Sequence, residues 1–255
     1  MDYKDLFNLE GRVAVVTGAS GGIGKAIALA LAAHGADVLV AGRNPDKTRQ
    51  AAEEVAASGR KALPFILEIT SRASAEAMAE AALQEFGRID ILVNSAGMNI
   101  RKEILAITDS DWDQVLTTNL KGVLYCCQAV GKHLVERKYG KVINISSISS
   151  FLGHPARGAY AASKGGLVQL TRVMATEWAP FNVNVNAISP AAVDTPFIAG
   201  LKKDRHRLDR ELERIPLARI GTPDDVAGAA VFLASRASDF ITGHNLFIDG
   251  GRTVD

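Results

Sequence analysis

Tyr160 and Lys164, four residues apart in Ala159-Tyr160-Ala161-Ala162-Ser163-Lys164, are the pair in this chain best suited to chemistry. On a helix that spacing places both side chains on one face, one turn apart. A phenol titrates near pH ~10 and moves protons poorly at neutrality. A nearby ammonium favours the phenolate and lowers that value, which makes the tyrosine a usable general acid or base. Ser147, in Asn144-Ile145-Ser146-Ser147, stands 13 residues before Tyr160. A strand end, a short loop and a helix would bring its hydroxyl beside the phenol, where it can donate to a substrate oxygen as charge develops. The sequence around Ser147 is not the G-x-S-x-G elbow of a serine hydrolase. Asn119, in Thr117-Thr118-Asn119-Leu120-Lys121-Gly122, is an amide within an apolar helical pattern and must bond something. It reads as a proton-relay or kink position, or as a satisfied helix asparagine.

A second group of residues is suited to a dinucleotide. Thr17-Gly18-Ala19-Ser20-Gly21-Gly22-Ile23-Gly24 lies between an apolar strand pattern and a helical one. Its glycines let backbone N–H groups at a helix N-terminus approach a pyrophosphate. The spacing is G-x-x-x-G-x-G rather than the common G-x-G-x-x-G. An acidic residue about 20 positions later would bind a ribose 2′-hydroxyl. The sequence there is Val40-Ala41-Gly42-Arg43-Asn44, with Arg43 in place of a carboxylate. A guanidinium suits a 2′-phosphate, so NADP(H) is expected ahead of NAD(H) unless Arg43 is an ordinary loop arginine. Asn94-Ser95-Ala96-Gly97 supplies small residues at another strand end, where backbone can pass close to a cofactor or simply turn.

These residues need an alternating scaffold, and the chain provides one. Val/Ile/Leu-rich strand patterns over 12–17, 37–41, 62–67, 89–94, 141–146, 183–189 and 245–248 alternate with helical patterns over 23–34, 46–57, 71–86, 109–137, 160–177 and 224–234. Strands with little polar alternation are covered on both faces, and repeated βα units imply a doubly wound parallel sheet in a single domain, 1–255. The stretch 191–219, with Thr195-Pro196-Phe197 and the run Lys202-Lys203-Asp204-Arg205-His206-Arg207, is irregular and reads as a lid or a solvated surface helix.

The 255 residues are 47% hydrophobic and 22% charged, enough for a sizeable core. Net charge is +1, from 29 basic and 28 acidic residues, which argues against a nucleic-acid or anionic-membrane surface. No apolar run approaches a membrane span, and residues 1–12 are too charged for a secretory segment. The only cysteines, Cys126 and Cys127, are adjacent in a helical pattern and read as free thiols, so a cytoplasmic location is expected. His154, His206 and His244 lie in no metal-ligand spacing, so no metal is expected.

Taken together, the glycine loop, the Asn-x-Ala-Gly turn, Asn119, the Ser147–Tyr160–Lys164 set and the closing Asp249-Gly250-Gly251 resemble the short-chain dehydrogenase/reductase family over nearly the whole chain. The resemblance implies a Rossmann-type seven-stranded sheet and hydride transfer between nicotinamide and a carbonyl or secondary alcohol. It implies that Tyr160 is the acid/base, Ser147 orients the substrate oxygen, Lys164 lowers the pKa of Tyr160 and holds the nicotinamide ribose, and Asn119 anchors a water leading to Lys164. The cofactor set expected with it is Gly18, Ser20, Gly21, Gly22, Ile23, Gly24, Arg43, Asn44, Glu68, Ile69, Asn94, Ala96, Gly97, Tyr160, Lys164, Pro190, Val193 and Thr195. A homotetramer is implied, with the 109–137 and 160–177 helices forming one interface and the C-terminal strand another. Three positions depart from the family pattern: Ser95 replaces a second asparagine, Glu68 replaces an adenine-facing aspartate, and Ala191 replaces the glycine after Pro190, where a Cβ would crowd the carboxamide.

The stretches Leu6-Phe7-Asn8-Leu9-Glu10-Gly11-Arg12, Ala96-Gly97-Met98-Asn99-Ile100-Arg101-Lys102 and Glu177-Trp178-Ala179-Pro180 look like those of sugar-acid dehydrogenases of the gluconate 5-dehydrogenase kind. The expected substrate set is Ser147, Tyr160, Asn99, Arg101 and His154. Arg101 would bind a carboxylate bidentately, or pair at the surface with Glu103. A 3-oxoacyl thioester is the alternative substrate, and a catalytically silent dinucleotide sensor the non-enzyme alternative.

Overall fold

Strand residues in this chain divide strictly between two cores. In the computed structural model, which describes residues 3–254, Ala14 and Val16 of β1 (Val13–Thr17) face one hydrophobic layer and Val15 faces the other. The same alternation runs through β2 (Asp37–Gly42), with Val38 and Val40 opposite Leu39 and Ala41. Seven strands make one parallel sheet in the order β3-β2-β1-β4-β5-β6-β7, where β3 is Ala62–Ile66, β4 Ile91–Asn94, β5 Gly140–Ile145, β6 Val183–Pro190 and β7 Asn245–Ile248. This is the doubly wound Rossmann-type sheet expected from the alternating pattern. Helices α1 (Gly22–Ala33), α2 (Pro45–Ala56) and α9 (Pro223–Ala234) cover one face; α3 (Arg72–Phe86), α5 (Gly122–Arg137) and α6 (Gly158–Trp178) cover the other.

Helix starts follow local chemistry. Asn44 caps α2 ahead of Pro45, Ser71 caps α3, and Thr108 forms a capping box with Asp111 at α4 (Asp109–Leu116). Thr222 and Asp225 do the same at α9. Helix α5 continues from the turn before it without a cap; of the other major helices, two lack a side-chain cap: α1, at Gly21, and α6, at Arg157. Both begin at the carboxyl edge of the sheet.

The helix expected over 109–137 is not regular. Between α4 and α5 the residues Thr117–Lys121 form a π turn, and Gly122 N–H donates to the Thr117 carbonyl. Asn119 is the middle residue of this turn and its buried one. The irregular 191–219 stretch contains a 3₁₀ turn at Pro196–Ile198 and two short helices, α7 (Ala199–Lys202) and α8 (Arg205–Leu212). No helix among the described residues is long and apolar enough to cross a membrane.

Candidate active site

Parallel register lines up Thr17, Asn94 and Asn144 across the carboxyl ends of β1, β4 and β5, at the point where the strand order reverses. These polar side chains are buried and bonded sideways, although Asn94 Oδ1 has no partner among the described residues. Asn94 Nδ2 donates to Asn144 Oδ1 at 2.9 Å, and Asn144 Nδ2 donates to Thr171 Oγ1 at 2.9 Å. Ser95 N–H donates to Thr17 Oγ1 at 3.2 Å, which fixes the turn after β4.

The glycine loop passes directly over that turn. Gly18 has φ +67, and a Cβ there would lie 2.7 Å from the Ala96 nitrogen. A Cβ on Gly24 would strike the Gly18 carbonyl. Ser20 lies against Gly42 at the end of β2, and Thr195 against Gly22. Gly21, by contrast, faces open space: no heavy atom lies within 4 Å of a Cβ built on it. An uncapped helix N-terminus with no acidic residue in its first turn and an open approach at Gly21 fits a pyrophosphate, with Gly22, Ile23 and Gly24 opening the helix. Arg43 is exposed at the end of β2 and beside Glu68. The Glu68 carboxylate accepts from Thr70 N–H and Oγ1, which with Arg43 holds it below the usual range. Asn44 Oδ1 is spent on its cap, accepting from Lys47 N–H at 3.0 Å. Ile69 is buried against Gly122. Pro190 ends β6 against Ile248, and Val193 bridges Gly221.

Tyr160 and Lys164 are buried on the first turns of α6. The Lys164 Nζ donates to the Ile145 carbonyl at 2.7 Å and lies 5.8 Å from the Tyr160 ring centroid. Burial pulls the ammonium down to about 8. Burial also raises the Tyr160 phenol above its ordinary value; the groups that oppose this are the Ser147 hydroxyl and the Arg157 charge. In this structure the Lys164 ammonium is bonded to a strand-end carbonyl, and Ser147 and Arg157 partly offset the burial that raises the phenol. Ser147 is buried at the end of the loop after β5, and its Oγ accepts from Ser149 N–H at 3.1 Å.

Asn119 is fully buried and satisfied by the backbone. Its Oδ1 accepts from Met98 N–H at 2.8 Å, and its Nδ2 donates to the Met98 carbonyl at 2.8 Å and to Ser163 Oγ at 3.1 Å. It is thus a satisfied asparagine that also marks a π turn, and its Oδ1 and the Lys164 Nζ both lie beside Gly97.

Of the expected substrate residues, His154 reaches Ser147 through Ser149, and Arg101 lies near Arg157, which bonds to the same Ser149. Asn99 Oδ1 and His154 Nε2 are buried without a hydrogen-bond partner among the described residues. His154 Nδ1 meets Ser149 Oγ at 3.3 Å. Burial and the Arg157 charge lower the pKa of His154, and burial, Arg157 and Arg207 lower that of Arg101; Glu211 opposes in both cases. Arg101 forms no ion pair with Glu103 among the described residues. Sequence reasoning missed Arg157 and Ser149, and named Phe197 only as part of the 191–219 stretch; its ring centre lies 6.0 Å from that of Tyr160. Arg157 carried one signal: a cation at the N-terminus of a helix opposes the helix dipole and calls for a reason.

Comparison with known proteins agrees with this geometry. The family model described as enoyl-(acyl carrier protein) reductase matches residues 18–253. The chain is 43% identical over 246 residues to the 2-dehydro-3-deoxy-D-gluconate 5-dehydrogenase of Escherichia coli K12, covering 96% of each chain. It is 38% identical over 254 residues to the gluconate 5-dehydrogenase of Gluconobacter oxydans, covering 100% of this chain and 99% of that one. The crystal structure of a gluconate 5-dehydrogenase from Burkholderia cenocepacia in complex with NADP and tartrate superimposes with a TM-score of 0.95 at 37% identity, covering 99% of each chain. With its sheet order, glycine loop and Ser147–Tyr160–Lys164 grouping accounted for, the chain belongs to the short-chain dehydrogenase/reductase family of oxidoreductases.

Proposed function

We propose that the chain interconverts a ketone and a secondary alcohol on a six-carbon sugar acid, at C5 as in gluconate and 5-ketogluconate, using NADP(H). The observation that carries this reading is a polar group beside Ser147: His154 Nε2, buried and unpartnered, with the Arg101 and Arg157 charges nearby, and Asn99 Oδ1, also buried and unpartnered, two residues before Arg101. Buried polar atoms without partners are costly, and hydroxyls with a carboxylate would satisfy all of them. An acyl thioester offers no such row of hydroxyls. The names of the E. coli and Gluconobacter relatives support the same substrate class.

When bound, the nicotinamide supplies or accepts the hydride. Tyr160 gives the proton to the carbonyl oxygen during reduction and takes it back during oxidation. Ser147 donates to the same oxygen and so stabilises charge as it develops. Lys164, with two N–H groups left after its bond to Ile145, would hold the ribose. Arg43 would face the 2′-phosphate, a role supported by the NADP in the Burkholderia relative. The segment 191–219 acts as a lid, supported by Phe197 against Tyr160 and Thr195 against Gly22. We read the enzyme as a cytoplasmic homotetramer; the free buried thiols Cys126 and Cys127 and the exposed Leu105 and Trp112 near α4 support this.

The test follows NADPH oxidation with 5-ketogluconate, an acetoacetyl thioester and a neutral cyclic ketone. The highest kcat/KM is expected for the keto-acid, by about 100-fold or more, the size of two well-made charged contacts. A higher value for the thioester, or no oxidation with any of the three, would overturn the reading.

A further inference from the structure

We propose that Arg157 contacts the substrate directly, pairing with Arg101 to form a two-guanidinium subsite for the carboxylate, one helical turn before the reacting tyrosine. This rests on the sugar-acid reading above and adds to it a residue and a geometry.

Three observations hold Arg157 in that place. First, the backbone of residue 157 forms a parallel bridge with Lys102, which fastens the loop carrying Arg101 to the loop entering α6. Second, Ala156 takes a left-handed backbone (φ +58), a conformation that costs an alanine free energy and persists only where the surroundings enforce it. Third, Arg157 Nη1 donates to Ser149 Oγ at 3.4 Å; that hydroxyl also meets His154 Nδ1, and the Ser149 N–H donates to Ser147 Oγ. Arg157 is thus joined to the group expected to orient the substrate oxygen through one intervening residue.

The charges around Arg157 lack an obvious protein answer. It sits at the N-cap of α6, where the helix dipole is unfavourable to a cation and the first turn holds no acid. None of the ion pairs among the described residues involves Arg101 or Arg157, and the neighbouring Asp111 is taken by Lys102. Arg157 instead acts on Arg101 as a like charge, as does Arg207 of α8, and Glu211 of the same helix opposes them at Arg101 only from beyond ion-pair range. A carboxylate between two such forks would relieve both and could bond to each bidentately. The unpartnered Asn99 Oδ1 and His154 Nε2 then face the hydroxyl-bearing part of the molecule.

The probe is sodium gluconate, compared with glucitol, its uncharged counterpart of equal length. Each is titrated into the NADPH-loaded enzyme and followed by cofactor fluorescence. Wild type is expected to prefer gluconate. Arg157→Gln and Arg101→Gln should each reduce that preference about tenfold or more, and the double variant should lose less than the product because both forks serve one carboxylate. If Arg157→Gln does not fold, Arg157→Lys keeps the charge without the fork and should show a smaller fall in the same direction. An unchanged preference in the Arg157 variant, or no preference in wild type, overturns the proposal. Arg157-dependent gluconate binding without turnover of 5-ketogluconate would instead overturn the functional reading and leave the subsite standing.

Discussion

Replacing Lys164 with methionine should make the protein more stable near neutral pH while it destroys turnover, and the gain should fade as pH rises. The ammonium is buried, and burial brings its pKa from 10.5 to about 8. Below about pH 8 the lysine is charged in both the folded and unfolded chain, and the folded chain bears the full cost, about 3 kcal/mol at 1.36 kcal/mol per pKa unit. Between about pH 8 and 10.5 the unfolded chain binds more protons than the folded one, so wild-type stability rises with pH and the cost disappears. Methionine has similar length and carries no charge, but it leaves the Ile145 carbonyl without its 2.7 Å donor, a loss of about 1 kcal/mol. The variant should therefore exceed wild type by about 2 kcal/mol at pH 7 and about 1 kcal/mol at pH 9, reaching parity near pH 10. Equilibrium urea unfolding at fixed protein concentration measures this, because titrations common to both proteins cancel in the difference. A difference that does not vary with pH, or a variant less stable than wild type at pH 7, would refute the reasoning.

Tyr160→Phe should lower kcat by about 10²- to 10⁴-fold, the usual worth of a general acid, with NADPH affinity by fluorescence titration nearly unchanged. Arg43→Ala should lower kcat/KM with NADPH by about 10- to 100-fold and leave the value with NADH nearly untouched; equal losses with both would remove the 2′-phosphate assignment. Asn119→Ala strands the Met98 N–H and carbonyl in a buried site, so it should cost about 4 kcal/mol in urea unfolding and lower Tm by about 10 °C.

The architecture was legible because the βα units repeat and each strand is apolar on both faces. Gly18 and Gly24 were legible for a similar reason: their spacing answers a contact with the backbone of residue 96 and with the loop itself, and no other residue fits. The fate of charges was less so. Tyr160 and Lys164 read as an electrostatic pair, yet spacing along a helix cannot say that Lys164 reaches across to the Ile145 carbonyl or that Arg157 is the cation acting on the phenol. Those are tertiary facts, set by how α6 lies against the end of β5 and by the bridge between residues 102 and 157. The π turn showed only as a possible kink at Asn119, since a helix with one extra residue keeps the composition of a helix.

That extra residue acts as a phase shifter. Each residue advances an α-helix by about 100°, so a single insertion between α4 and α5 rotates the second apolar stripe against the first. Val115 of α4 is turned toward Ala159 and Tyr160, whereas Val123, Cys126, Cys127, Val130 and Leu134 of α5 are turned toward the sheet. One continuous rod thereby serves two clients, the helix bearing the reactive phenol and the core beneath β4 and β5. Removing any one residue from 117–121 would put the two stripes back in step and force one client to lose its contact. The alignment of the catalytic helix with the sheet is thus written as a count of residues, independent of what most of those residues are.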